Sequence, residues 1–259
     1  MSIDAHVHVA PHKDDLGGRQ DASVETFLAA FDASPLDRVI LLPIEPCIST
    51  DFVAQAALHR PDKILILGSV DPHHGAEAVS RFDWMRAELS VRGLKLHPRR
   101  QRIDMNLLPV LQELTSRAAR YGLPLLIDSF PYGKTATTDT TLELIAALGE
   151  RVPEAKIIIA HMGGLRVLEA LNVARTNYTM FFDISLIYSV YRGSHIEQDI
   201  FYAIRRLGAD RCLYGSDYPD AGLTQSYEDM RTALDQHGFG AADLDQVFGN
   251  TAAELFCVT

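Results

Sequence analysis

Short apolar runs alternate with longer stretches of helical period along the whole chain. The runs, rich in Val, Ile and Leu, fall at 3–9, 38–44, 64–70, 93–97, 124–129, 156–161, 180–185 and 212–216. Several are hydrophobic without a break, as in Val39-Ile40-Leu41-Leu42 and Ile157-Ile158-Ile159, a pattern that suits strands buried on both faces of a parallel sheet. Helices are predicted between them at 22–33, 51–60, 76–90, 106–121, 140–151, 165–176, 196–207 and 226–237, with a final helix at about 242–256. In the fourth, Leu107, Leu108, Leu111, Leu114 and Ala118 share one face, and Tyr121-Gly122-Leu123-Pro124 marks a helix stop before the next strand.

Eight such units with no linker, low-complexity segment or repeat predict one α/β domain over residues 1–259, a single (β/α)8 TIM barrel. A doubly wound open sheet is the competing architecture, but no phosphate-binding glycine fingerprint follows the first strand.

Composition narrows the class further. Hydrophobic residues make up 47% of the chain and charged residues 22%, enough apolar material for a large core. A formal net charge of −10 argues against nucleic acid and anionic membranes as partners, so an anionic ligand would need local basic residues. Three widely spaced cysteines, Cys47, Cys212 and Cys257, form no metal or disulfide motif. There is neither a basic-plus-apolar leader nor a run of membrane-spanning length. The expectation is a soluble cytoplasmic protein, acting on a small molecule and able to form a homodimer.

In a barrel of this kind, side chains at the C-terminal ends of strands line the active site. The first run carries His6 and His8, which alternation directs to one side. Two imidazoles at that spacing suit zinc, manganese or iron, although His-x-His also arises as ordinary packing. The sixth run ends in His161, followed by Met162-Gly163-Gly164, and the eighth leads into Asp217 before Tyr218-Pro219. Separately these read as a core histidine and a turn aspartate; at three strand ends of one barrel they read as a metal site. Lys95 and His97 share a side of the fourth strand, and Arg99, Arg100 and Arg102 follow it. They can bind a substrate carboxylate, or else form an ordinary ion pair and a solvated loop. His12, His73, His74, Tyr188 and Tyr191 suit the rim or the surface equally well, Asp183 is a buried acid of structural or catalytic use, and Cys47 reads as a small packing residue.

Ile3-Asp4-Ala5-His6-Val7-His8, Gly93-Leu94-Lys95-Leu96-His97-Pro98, Ile159-Ala160-His161-Met162-Gly163-Gly164 and Leu213-Tyr214-Gly215-Ser216-Asp217-Tyr218-Pro219 resemble the amidohydrolase superfamily. The similarity is to its amidohydrolase-2 group, which includes aminocarboxymuconate-semialdehyde decarboxylase, aromatic-acid decarboxylases and lactone hydrolases. Residues 247–256 also resemble that group's closing helix, so the resemblance spans the chain. It implies that His6, His8 and Asp217 ligate a divalent metal ion, with Asp217 also accepting a proton. It further implies that His161 stands at the metal site as acid, base or electrostatic stabiliser.

The departure is at the fifth strand, which ends in Asp128 where the family usually has a histidine ligand. Asp128 can replace that ligand and favour a harder ion, orient a neighbouring histidine, or mark a site without metal. The resemblance implies hydrolysis through a metal-activated water, with Lys95, His97, Arg99 and Arg100 as substrate-binding candidates. Nonoxidative decarboxylation is the alternative on the same ligands. Lys95 can also be carbamylated to bridge two metals; a dinuclear iron or manganese oxygenase, suggested by Asp128 and Lys95, and a noncatalytic barrel stand further off.

Overall fold

In the computed structural model, residues 1–12, 16, 21–133 and 138–258 are described. The strands are β1 (Ile3–Val7), β2 (Arg38–Leu41), β3 (Ile64–Ile66), β4 (Gly68–Ser69), β5 (Leu94–Leu96), β6 (Leu125–Asp128), β7 (Ile157–Ala160), β8 (Met180–Asp183) and β9 (Cys212–Leu213). Each pairs in parallel with its neighbour, in the orders β1-β2-β3 and β4 through β9.

Two seams turn these ladders into one barrel. β3 and β4 are the halves of the single run expected at 64–70, parted at Leu67. There the ladder changes partner: Leu67 N donates to Leu41 O at 3.1 Å and Gly68 N to Gly93 O at 2.9 Å. The last seam joins the first and last strands through Ala5 N to Tyr214 O (2.9 Å), Asp217 N to His6 O (2.9 Å) and His8 N to Tyr218 O (2.8 Å). Eight βα units therefore close as the sequence predicts.

Two apolar layers hold the barrel. Outward positions such as Val39, Leu41, Ile157 and Ile159 pack under the helices. Inward ones, among them Ile3, Ala5, Ile40, Leu42, Leu126, Ile158, Ala160 and Leu213, meet Ala252, Leu255 and Phe256 of the C-terminal segment. That segment differs from the single helix expected: Ala241–Asp245 and Thr251–Leu255 are α-helical, and Gln246–Asn250 is a π-turn between them. The polar layer of the site lies above this core, toward the strand ends.

A bulge in β1 sets the site's phase. Asp4 pairs with Val39 but Val7 with Leu41, three steps against two, so a strand that begins with Ile3 and Ala5 facing inward continues with His6 and His8 facing inward. The buried Asp4 carboxylate braces the bulge through Oδ1, which accepts from His6 N at 3.1 Å and Ser216 N at 3.0 Å. Among the described residues no helix is long and apolar enough to cross a membrane.

Candidate active site

His6 and His8 come from the end of β1, Lys95 and His97 from that of β5, and Asp128, His161, Asp183 and Asp217 from those of β6, β7, β8 and β9; all are buried. The two β1 imidazoles have their tautomers fixed from behind. His6 Nδ1 lies 2.5 Å from Asp183 Oδ2, and His8 Nδ1 lies 2.8 Å from the Leu42 carbonyl oxygen. A carbonyl can only accept, so His8 carries its proton on Nδ1, and the Asp183 carboxylate fixes the same tautomer on His6. Burial, and then the Lys95 charge, push both rings below the usual imidazole pKa, so both are neutral. Their Nε2 lone pairs therefore face each other at 3.1 Å with no proton between them.

Such a pair is repulsive unless a cation stands against it. Asp217 Oδ1 completes a triangle, 3.3 Å from His6 Nε2 and 3.6 Å from His8 Nε2. Donors about 2.0–2.2 Å from a common ion are separated by roughly 3.0–3.5 Å, so this set fits a small divalent metal. Ligand atoms of His6, His161 and Asp217 also lie within 4.8 Å of one another. Lys95 Nζ reaches the same lone pairs, 3.1 Å from His6 Nε2 and 3.3 Å from His8 Nε2.

His161 has a different environment. Its Nδ1 faces the Ser185 carbonyl oxygen at 3.1 Å and Ser185 Oγ at 3.0 Å, while Nε2 faces Asp128 Oδ2 at 3.1 Å. Acceptors at both nitrogens favour the doubly protonated ring. Burial opposes that charge, but the Asp128 hydrogen bond and the charges of Asp217, Asp128 and Asp183 outweigh it and raise the pKa to about 9. Burial likewise works against the Asp128 carboxylate, yet the His161 hydrogen bond and the charges of His161 and Lys95 hold it well below the usual range. His97 lies 3.6 Å from Asp128 through Nε2, is kept neutral by burial, with its pKa near 3, and has no hydrogen-bond partner at Nδ1 among the described residues.

The backbone here is bent to present these groups. His161 and Asp217 both have left-handed φ, 59° and 58°, a conformation that costs non-glycine residues about 1–3 kcal/mol and clusters at functional sites. The turn after His161 stays left-handed through Met162, Gly163 and Gly164, and Gly163 N is tied to Ser129 Oγ at 3.0 Å. A Cβ on Gly164 would come 2.7 Å from Pro131 Cδ, so glycine is needed for that close approach.

Arg99 and Arg100 are exposed on the helical turn Pro98–Gln101, and Arg99 lies over the Tyr132 ring at 5.4 Å. Gln101 locks that turn by accepting from His97 N at 2.7 Å and donating to Val70 O at 2.7 Å. His73 Nε2 contacts Gln101 O at 3.0 Å, and His12 and His74 are exposed. Tyr188 packs on Phe201, while Tyr191 stacks on Phe130, whose ring meets His161 edge-on. Cys47 departs from expectation: it is exposed, 3.9 Å from Arg100 Nη1, because it follows the turn at Pro46 instead of pointing into the core.

Sequence reasoning had no signal for Ser185 as a partner of His161, for the Leu42 carbonyl behind His8, or for Phe130 beside His161. Asp183 was visible as a strand-end acid, but its service to His6 needed the barrel to close.

The family model described as Amidohydrolase matches residues 3–257. Among curated proteins none matches the sequence. Among solved structures, 5-carboxyvanillate decarboxylase from Sphingomonas paucimobilis is similar with a TM-score of 0.76 at 17% identity, over 100% of this chain and 99% of that one. A probable 2-pyrone-4,6-dicarboxylic acid hydrolase from Acinetobacter baumannii, with citric acid bound, has a TM-score of 0.71 at 17% identity, with 99% of each chain covered. A dihydroxybenzoic acid decarboxylase from a Polaromonas species, with bound manganese and an inhibitor, has a TM-score of 0.72 at 16% identity, over 99% of this chain and 96% of that one. At such identities the likeness is one of fold.

Proposed function

The chain belongs to the amidohydrolase family, and we propose that it is a metal-dependent hydrolase of a small, carboxylate-bearing organic substrate. The observation that carries this reading is the triangle of His6 Nε2, His8 Nε2 and Asp217 Oδ1, with lone pairs converging at 3.1–3.6 Å. These three residues would hold zinc, manganese or iron(II). A divalent ion bound there supplies a Lewis acid that lowers the pKa of a water and polarises a carbonyl.

The remaining steps belong to the protein. Asp217 accepts the proton of the attacking water, and His161, kept protonated beside Asp128, delivers a proton to the leaving group. On this reading Asp128 and His161 are not ligands: the carboxylate and both ring nitrogens are already engaged with each other and with Ser185. Asp128 is instead a positioning residue, the second of the three roles its departure from the family pattern allowed. Arg99 and Arg100 draw the substrate carboxylate to the mouth, Lys95 supplies positive charge inside it, and the unpartnered His97 Nδ1 offers a hydrogen bond to the bound substrate. The free cysteines agree with a cytoplasmic enzyme.

A second reading, nonoxidative decarboxylation, is favoured by His161 itself, since a held imidazolium can protonate the carbon that loses CO₂. Purified enzyme loaded with manganese or zinc is tested against aromatic lactones and against hydroxylated aromatic acids. Lactone opening without CO₂ release supports hydrolysis, and stoichiometric CO₂ release supports the second reading. If no divalent ion is retained or restored, both mechanisms fail.

A further inference from the structure

Among the described residues, the hydrogen-bond partners of the Lys95 ammonium are imidazoles and not carboxylates. The ammonium sits against the two nitrogens that the proposed metal would need, 3.1 Å from His6 Nε2 and 3.3 Å from His8 Nε2. Those nitrogens cannot bond to each other, because each ring has placed its proton on Nδ1, toward Asp183 and the Leu42 carbonyl. An ammonium has only protons to offer, so each contact consumes an imidazole lone pair. The same lone pair cannot at once accept from Lys95 and coordinate an ion.

We propose that Lys95 is an internal cation that competes with the metal for His6 and His8, so that the site alternates between a lysine-filled and a metal-filled state. The inference rests on the metal-site reading above and adds to it a role for Lys95 that is opposite in sign to that of a ligand. The lysine is well built for such an exchange. It is almost wholly buried and comes from β5, across the barrel from β1. Burial works against its charge and lowers its pKa, while Asp128, Asp217 and Asp183 lie near enough to offset part of that effect, so carboxylates remain to receive the ammonium once it leaves the imidazoles. The lysine-filled state keeps two facing lone pairs from repelling, and it keeps the site folded around a positive charge. Metal loading then carries the cost of displacing that charge, and removing the charge removes the cost.

The test is equilibrium competition between the full-length protein and a fluorescent chelator for Mn²⁺ and Zn²⁺, in the wild type, Lys95→Met, Lys95→Arg and His6→Ala. Lys95→Met removes the ammonium with little change of length and is expected to bind the ion tighter, on the order of 5- to 150-fold, the usual span of coupling between two linked sites. Lys95→Arg keeps the charge and is expected to stay within about threefold of the wild type. His6→Ala is expected to lose the ion. If methionine at this buried position prevents folding, as judged by circular dichroism, Lys95→Gln takes its place. Unchanged or weaker binding in the neutral variant, with the wild type binding normally, overturns the competition and leaves the metal site standing; weaker binding would make Lys95 or a derivative of it a ligand. Binding by neither the wild type nor the neutral variant overturns both.

Discussion

Asp128 Oδ2 lies 3.1 Å from His161 Nε2, and the opposite ring nitrogen of His161 faces the Ser185 carbonyl oxygen. Together the two contacts engage both ring nitrogens as donors, which supports the proposed role of proton donor over that of a ligand. Asp128→Asn keeps the shape of the side chain but removes the charge that holds the imidazolium. It is expected to lower kcat by about 100-fold or more, the usual contribution of a placed acid, while the metal bound per chain stays unchanged. Metal lost together with activity in Asp128→Asn would make Asp128 a ligand.

The raised pKa of His161 also fixes a pH dependence. Its folded value of about 9 lies above the ordinary 6.5, so the folded state holds the proton more tightly than the unfolded chain. The stabilisation is therefore complete below about 6.5 and is lost as pH rises toward 9. Activity that needs the protonated ring falls through the same upper limit. Urea midpoints and kcat measured from pH 6 to 10 are expected to decline together in the wild type. The decline in stability should be smaller in Asp128→Asn, and a flat stability profile in the wild type would remove His161 as a charged group.

Behind the other edge of the site, Asp183 holds His6 by its Nδ1 proton. A carboxylate in that place orients the ring and makes Nε2 a better donor. Asp183→Asn still accepts a hydrogen bond but carries no charge. It is expected to weaken metal affinity by about 10- to 100-fold, measured by chelator competition, without abolishing it.

At the mouth, Arg99, over the Tyr132 ring, and Arg100 stand exposed on an otherwise acidic protein. A charge that only recruits the substrate affects binding and leaves the chemistry alone. Arg99→Ala with Arg100→Ala is expected to raise KM several-fold at low salt with kcat little changed, and to flatten the dependence of kcat/KM on ionic strength. A loss confined to kcat would place an arginine at the reacting atoms instead.

Much of this was legible in the sequence, and the reason differs from residue to residue. The strands could be read because parallel barrel strands are buried on both faces, so Ile157-Ile158-Ile159 carries its own signal. His6 and His8 could be paired because alternation needs only the local backbone. Their inward phase could not be derived, since the bulge between Asp4 and Val7 is fixed by Ser216, more than two hundred residues away. The partition of Asp128 was also hidden: whether it faces an ion or His161 depends on the register of β6 against β7, where Asp128 lies opposite Ala160, immediately before His161. Partners that are backbone atoms, such as the Leu42 carbonyl, leave no trace in residue identity.

Gly215 shows how tightly the closing seam is built around the proposed metal site. Its position faces inward, and a Cβ there would come 2.6 Å from the His6 Cβ, 2.9 Å from the Ser185 Cβ and 3.1 Å from Asp183 Oδ1. The first two are the root atoms of their side chains, so they cannot swing away as the end of a flexible chain would; the strands carrying them must separate. Gly215→Ala therefore acts on three partners at once: the His6 ring, the Asp183 carboxylate that orients it, and the Ser185 hydroxyl shared with His161. Overpacking of this kind costs about 1–3 kcal/mol, and the displacement falls on a proposed metal ligand. The expected result is a lower melting temperature together with loss of bound metal. The control is Gly222→Ala, where a Cβ meets nothing within 4 Å and only a helix N-cap is altered, at a cost of less than about 1 kcal/mol. If Gly215→Ala melts and binds metal like the wild type, the strands part without strain, and the geometry of His6 does not depend on this contact.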